Sequence, residues 1–166
     1  KAAILTAAAD LLEDEGFGAV THRAVAGRAG VSPGSVGYYF PDVDQLLVAA
    51  ADALASRILS AARSLEPTGD IAGDIVQMVA GAGDPRALHT IYERYVQAAR
   101  EPLLAPVVRA WTDQLVGLVA QRLEAGGGDP RAARRLVALT DGLLLSGLAG
   151  PGDPRPAAAE QLRAAL

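Results

Sequence analysis

Breaks made of glycine and proline divide this chain into segments rich in alanine and leucine. They fall at residue 16, at 30–34, 67–69 and 81–85, at 102, and at 126–130 and 150–154. Between them the apolar residues recur at helical spacing, as Ile4, Leu5, Ala8, Leu11 and Leu12 do, and valines do not alternate with polar residues. Alanine and leucine are strong helix formers, so the pattern predicts an all-α chain of about nine helices. Gly16 ends the first helix. Thr21 caps a second that Gly30 stops, and Ser32, with Pro33 at the first helical position, opens a very short third ending near Tyr38. A fourth runs from beyond Asp42 to about Ser64 on a stripe of Leu46, Leu47, Ala50, Leu54, Ile58 and Leu65. Ile71–Ala80 is a fifth, and Asp84-Pro85, Pro102, Asp129-Pro130 and Asp153-Pro154 open four more, reaching Arg100, Glu124, Ala149 and Leu166.

With 166 residues, 51% of them hydrophobic, the chain can bury a core unaided. It has no cysteine, which excludes disulfides, thiolate metal sites and a cysteine nucleophile, and only two histidines, too few for a histidine-rich metal cluster. There is no glycine-rich phosphate loop and no Ser-His-Asp constellation with a nucleophile turn, so neither an enzyme nor a cofactor is expected. No window holds about 18 uninterrupted apolar residues, and Asp10 and Glu13 interrupt the start too early for a signal peptide; no membrane partner and a cytoplasmic location are expected.

Residues 21–40, THRAVAGRAGVSPGSVGYYF, carry most of the functional information. A helix, a turn holding Gly30 and a second short helix make the helix-turn-helix pattern. Ala26 is small where the two helices cross, and Val31 is expected to fill the angle between them. Val36 and Phe40 anchor the short helix inward, and Ser32 leaves its N-terminal N–H groups free for a phosphate. Arg23 reads a guanine or a phosphate, or is a solvated surface arginine; His22 lies near the DNA backbone or in solvent.

Over about residues 1 to 50 the sequence resembles the TetR-type bacterial transcriptional regulators. The resemblance rests on Ile4-Leu5, Ala7-Ala8, Leu11-Leu12, Gly16-Phe17, Thr21, Val25-Ala26, Ala29-Gly30-Val31-Ser32, Gly34-Ser35-Val36, Tyr39-Phe40 and Leu46-Leu47. It implies a helix-turn-helix head over 1–47, followed by a helical bundle over 48–166 for ligand binding and dimerisation. It also implies a homodimer whose paired short helices enter adjacent major grooves of a palindromic double-stranded operator, and a repressor released when a small molecule moves the fourth helix. By the same resemblance Thr21 and Tyr39 touch phosphates, while Pro33, Gly34, Ser35 and Tyr38 lie on the groove face. Two positions depart from the family pattern: Val43 stands at the expected lysine, and Gly37 where an aromatic is frequent. Residues 1–47 also carry three basic against six acidic side chains, an unusual balance for a DNA-binding head. The competing reading is therefore a ligand-binding helical dimer that has lost operator binding.

In the second half, Met78, His89, Tyr92, Tyr95, Trp111 and Thr112 are the unusual side chains, and they serve either as core or as the lining of a pocket for an apolar or aromatic effector. His89 and Tyr92, three apart, are expected to share a helix side that Tyr95 and Gln97 do not. Asp141 caps, faces a pocket, or pairs with Arg134, Arg135 or Arg109, and the paired carboxylate is the expected reading. Leu136, Leu139 and Leu143 on one helix, Leu115, Leu118 and Val119 on the preceding one, and the small residues Gly142, Ser146 and Gly147 form either intrachain core or a two-fold seam.

Overall fold

The computed structural model describes residues 1–81 and 87–166, the side chains of 87, 90, 94 and 98 excepted. Among the described residues there are nine α-helices and no strand: α1 Ala2–Glu15, α2 His22–Ala29, α3 Pro33–Tyr39, α4 Val43–Arg63, α5 Ile71–Ala80, α6 Ala87–Arg100, α7 Ala105–Ala125, α8 Ala133–Gly147 and α9 Arg155–Ala165. Single 3₁₀ turns at Pro102–Leu104 and Pro130–Ala132 precede α7 and α8, so those helices begin three residues later than their opening prolines suggest. The expected Asp84-Pro85 start of α6 lies outside the described residues.

The chain divides into two compact units, Lys1–Arg57 with Thr90–Arg109, and Ile58–His89 with Ala110–Leu166. In the first unit α1 packs on α2 and α2 on α3. Its interior holds Ile4, Ala8, Leu11, Leu12, Val25, Ala26, Val36, Phe40, Leu46 and Ala50. Val31 departs from expectation. It is 36% exposed, whereas Val36 on α3 and Phe40 just past it are buried. The α4 stripe also departs: Leu46, Ala50 and Leu54 are buried, but past Arg57 the buried positions become Leu59 and Ala62, and Ile58 is only half buried. Each four-residue step on a 3.6-residue helix turns the stripe by about 40°, so no single face serves 21 residues.

In the second unit α5 packs on α9 and α8, and α8 on α9. Its interior holds Ile75, Val76, Val79, Trp111, Leu144, Ala158 and Leu162. Leu115 and Val119 are fully buried in it and Leu136 is nearly so. These three are therefore intrachain core rather than seam residues. Leu139 stays exposed, and Leu118 and Leu143 half exposed. Gly147 is small for a different reason from the one expected: a Cβ there would lie 2.5 Å from Pro154 Cβ, so it admits the returning chain of its own fold. Arg134 pairs with Asp113 at 2.6 Å, an acid the sequence reading did not name.

Ion pairs fasten α9. Arg163 reaches Asp70 at 2.5 Å, and Arg155 pairs with Asp153 at 2.8 Å while donating to the Gly81 carbonyl. The hydrogen bonds from these arginines hold the Asp70 and Asp153 carboxyls below their ordinary value of 3.8. The unfolded chain binds those two protons at higher pH than the folded one. Their contribution is thus complete above the ordinary value and is lost as pH falls through the depressed ones. Thermal melts between pH 5 and pH 2 should show a steeper loss for the wild type than for an Asp70→Asn, Asp153→Asn variant; parallel curves would refute the assignment.

Two stretches, Val43–Arg63 and Pro102–Ala125, have the length and mean hydropathy, 1.3 and 1.2, to cross a bilayer. Each carries an arginine ion-paired to another segment of the protein, Arg57 and Arg122, and a row of residues buried in protein.

Candidate nucleic-acid interface

Hydroxyl and carboxylate caps set the frame of the helix-turn-helix. Thr21 Oγ1 accepts from Ala24 N at 3.2 Å, and Ser32 Oγ accepts from Ser35 N at 3.2 Å while bonding Ser35 Oγ at 2.9 Å. Gly30 stands between the helices in the left-handed region, φ 66°. Asp42 opens α4, accepting from the Gln45 backbone and amide N–H groups, both at 2.7 Å. The expected caps are therefore the observed ones.

The outer face of α3 is formed by Pro33, Gly34, Tyr38 and Tyr39, all exposed, with Ser35 and Gly37 half exposed. Tyr38 is 81% exposed, an unusual state for an aromatic with no partner beyond the Tyr39 ring edge 5.2 Å away. No side chain on α3 is charged or carries an amide. Sequence reading by bidentate hydrogen bonds to base edges is therefore unavailable to this helix; hydroxyls, methylene surface and close backbone approach are what it offers.

The head's acids on α1 are engaged by arginines from elsewhere in the head. Arg28 bonds Asp14 at 2.9 Å and Glu15 at 3.0 Å. Arg57 bonds Asp10 at 2.6 Å and also Glu13. Four of the six acids in residues 1–47 are thus tied up along α1 by arginines from α2 and α4. Arg23 is exposed with no carboxylate partner among the described residues, beside Thr21, Ala24 and Gly27 in a shallow depression on α2. His22 does a different job from the one expected. It is half buried, and its Nε2–H donates to the Phe40 carbonyl at 2.6 Å, fastening the start of α2 to the end of α3.

The candidate effector residues are distributed over both units. Tyr92 and Tyr95 belong to the first, their rings stacked with centroids 6.4 Å apart; Met78, His89, Trp111 and Thr112 belong to the second. Met78 and Trp111 are buried, Thr112 is half buried and His89 is exposed. The expectation that His89 shares a side with Tyr92 while Tyr95 does not is reversed in environment. Tyr92 is buried beside Tyr95, because residues three apart flank each other on a helix in either direction.

The family model of bacterial regulatory proteins, tetR family, matches residues 4–50, and that of the tetracyclin repressor-like C-terminal domain matches residues 63–166. The chain belongs to the TetR family. As a TetR-family protein it is a DNA-binding regulator of the ligand-responsive kind. The multidrug binding protein EbrR, solved with proflavin, is 31% identical, with a TM-score of 0.73, covering 99% of this chain and 98% of that one. Its ethidium complex is 30% identical with a TM-score of 0.74, covering 97% and 95%. A TetR-family member from Streptomyces coelicolor A3 is 33% identical with a TM-score of 0.69, covering 97% and 94%. A comparison with curated proteins finds no match.

Sequence reasoning missed how this TetR-family head neutralises its acids. Arg57 stands 47 residues from Asp10 in the chain, and no local spacing rule connects them. The only available signal was the run Glu13-Asp14-Glu15 at the end of a helix, a run that needs cations from elsewhere in the fold.

Proposed function

We propose that this chain is a homodimeric repressor that binds a palindromic operator through α3 and is released by a small aromatic molecule. The observation that carries the reading is the exposed Tyr38–Tyr39 face on a doubly capped helix-turn-helix, whose other helix bears Arg23, an exposed cation with no carboxylate partner among the described residues. In this reading residues 1–47 do the DNA work and residues 48–166 bind the effector and dimerise. Thr21, Arg23 and Tyr39 contact phosphates, the N-terminus of α3 at Ser32 receives another, and Pro33, Gly34, Ser35 and Tyr38 meet the groove. The exposed Leu139, with Leu143, supports a two-fold seam on α8. A relative solved with proflavin and with ethidium, and the Tyr92–Tyr95 stack, support a flat aromatic effector with Tyr92 and Tyr95 as its candidate contacts.

Selection from random duplex DNA tests this. The expected result is a palindrome whose half-sites lie one helical turn or more apart, and its release by proflavin or ethidium. A folded protein that enriches no sequence at low salt would leave a ligand-binding dimer without an operator. The neutral α3 surface and Val43 in the family's lysine position are the features that reading would rest on.

A further inference from the structure

Within the second unit a groove of about 440 Å³ lies among the end of α4, α5 and α7. That volume is in the range of small-molecule sites. Its apolar floor includes the buried Met78 and the half-exposed Leu118. Gly117 leaves one wall bare: a Cβ there would meet no atom within 4 Å.

The polar groups around that floor are mostly donors. Arg63, the last residue of α4, reaches across to α7, its Nη2 donating to Gln114 Oε1 at 3.2 Å. Accepting that bond leaves the Gln114 amide N–H groups to donate elsewhere. Gln121, about two helical turns further along α7, adds a second amide with no partner among the described residues. No lining side chain is acidic. Arg122 also borders the groove, but Asp74, 2.8 Å away, balances its charge. Arg63 has no carboxylate within ion-pair distance among the described residues, so its positive charge is the groove's net charge.

From this arrangement we infer a binding site for an amphipathic monoanion, an aromatic or branched aliphatic carboxylate whose body lies on Met78 and Leu118 and whose carboxylate meets Arg63. A guanidinium N–H bonded to a carboxylate is a charge-assisted hydrogen bond, about twice as strong as a neutral one. The same cation repels a cationic molecule of equal shape. The site is thus distinct in both charge preference and residues from an aromatic pocket built on Tyr92 and Tyr95, and shares only Met78 with the candidate effector residues named above. It stands whether or not the protein binds an operator, because its test reads binding to the protein alone.

Calorimetric titration of the full chain with 1-naphthoate and with 1-naphthylmethylammonium compares one aromatic body carrying opposite charges. Naphthoate is expected to bind at one site per chain, at least tenfold tighter than the ammonium. Arg63→Gln should remove most of that preference and Arg63→Glu should invert it. Gly117→Leu, whose Cβ meets no atom within 4 Å and whose branched end would take up groove volume, should weaken naphthoate at least tenfold without lowering the melting temperature, since leucine is the better helix former. Equal affinity for the two probes, a preference that survives Arg63→Glu, or undiminished naphthoate binding by Gly117→Leu would each overturn the assignment. Arg63 is exposed and a Cβ at Gly117 meets open space, so no variant should melt below the wild type, and a lowered melting temperature would show that the substitution acts on the fold instead.

Discussion

Replacing Asp74 by alanine is expected to destabilise the protein by about 3 kcal/mol and to lower its melting temperature by about 10 °C. Asp74 sits in the first turn of α5 with only 5% of its surface exposed. It accepts from the Thr68 backbone N–H at 3.2 Å, from Thr68 Oγ1 at 2.7 Å and from Arg122 Nη1 at 2.8 Å. Arg122, itself 12% exposed, donates its other nitrogen to the Leu65 carbonyl. One carboxylate thus ties the loop between α4 and α5 to α7. Its removal leaves a largely buried guanidinium without counter-charge and a backbone N–H without an acceptor, and unpaired buried groups cost far more than the pair contributes. The double variant Asp74→Leu, Arg122→Met removes both charges together. It should recover to within about 1 kcal/mol of the wild type, since apolar replacement of a whole buried pair is often neutral. Chemical denaturation of the wild type and the two variants checks this. A single-variant loss below about 1 kcal/mol would mean that water reaches and screens the pair.

The second large effect concerns DNA. In a two-fold dimer every head substitution occurs twice. Arg23→Gln combined with Tyr39→Ala should weaken operator binding about a hundredfold or more, taking each phosphate contact at roughly 1 kcal/mol. The Arg23 component should be equal on operator and random duplex, because phosphate contacts carry no sequence information. It should also flatten the dependence of log affinity on log salt by about 1.8, from two counterion-releasing contacts at roughly 0.9 each. Arg28→Gln is the informative control. Asp14 and Glu15 already neutralise Arg28, so its loss should leave the salt slope unchanged. Electrophoretic or anisotropy titrations at several salt concentrations separate the two. Equal flattening by both arginine variants would mean that the α1 acids release Arg28 to the DNA.

These expectations draw on features of unequal legibility. The caps at Thr21, Ser32 and Asp42 were readable because capping is a local contest between a hydroxyl or carboxylate and the backbone two or three residues on. The inward anchoring of Val36 and Phe40 followed from spacing alone. Val31 was misplaced and the His22 bond to Phe40 was not foreseen, for one reason: each depends on where the end of α3 comes to rest, which local spacing does not contain. The leucines of α7 and α8 illustrate the same limit. Leu115, Val119 and Leu136 entered the core while Leu139 did not, although all four are apolar residues at helical spacing.

The amino-acid sequence by itself determined the helices, their caps, the helix-turn-helix and the family, because each rests on interactions within a few residues or on a motif written in one segment. Only the tertiary structure decided which charges are spent inside the molecule and which face outward. Asp10 with Arg57, Asp70 with Arg163 and Asp74 with Arg122 meet across 47, 93 and 48 residues of chain. Whether a charge is neutralised depends on distances of a few ångströms that helix packing sets. For that reason a head that reads as acidic along the chain presents an uncharged α3 and an exposed Arg23 on α2 once folded.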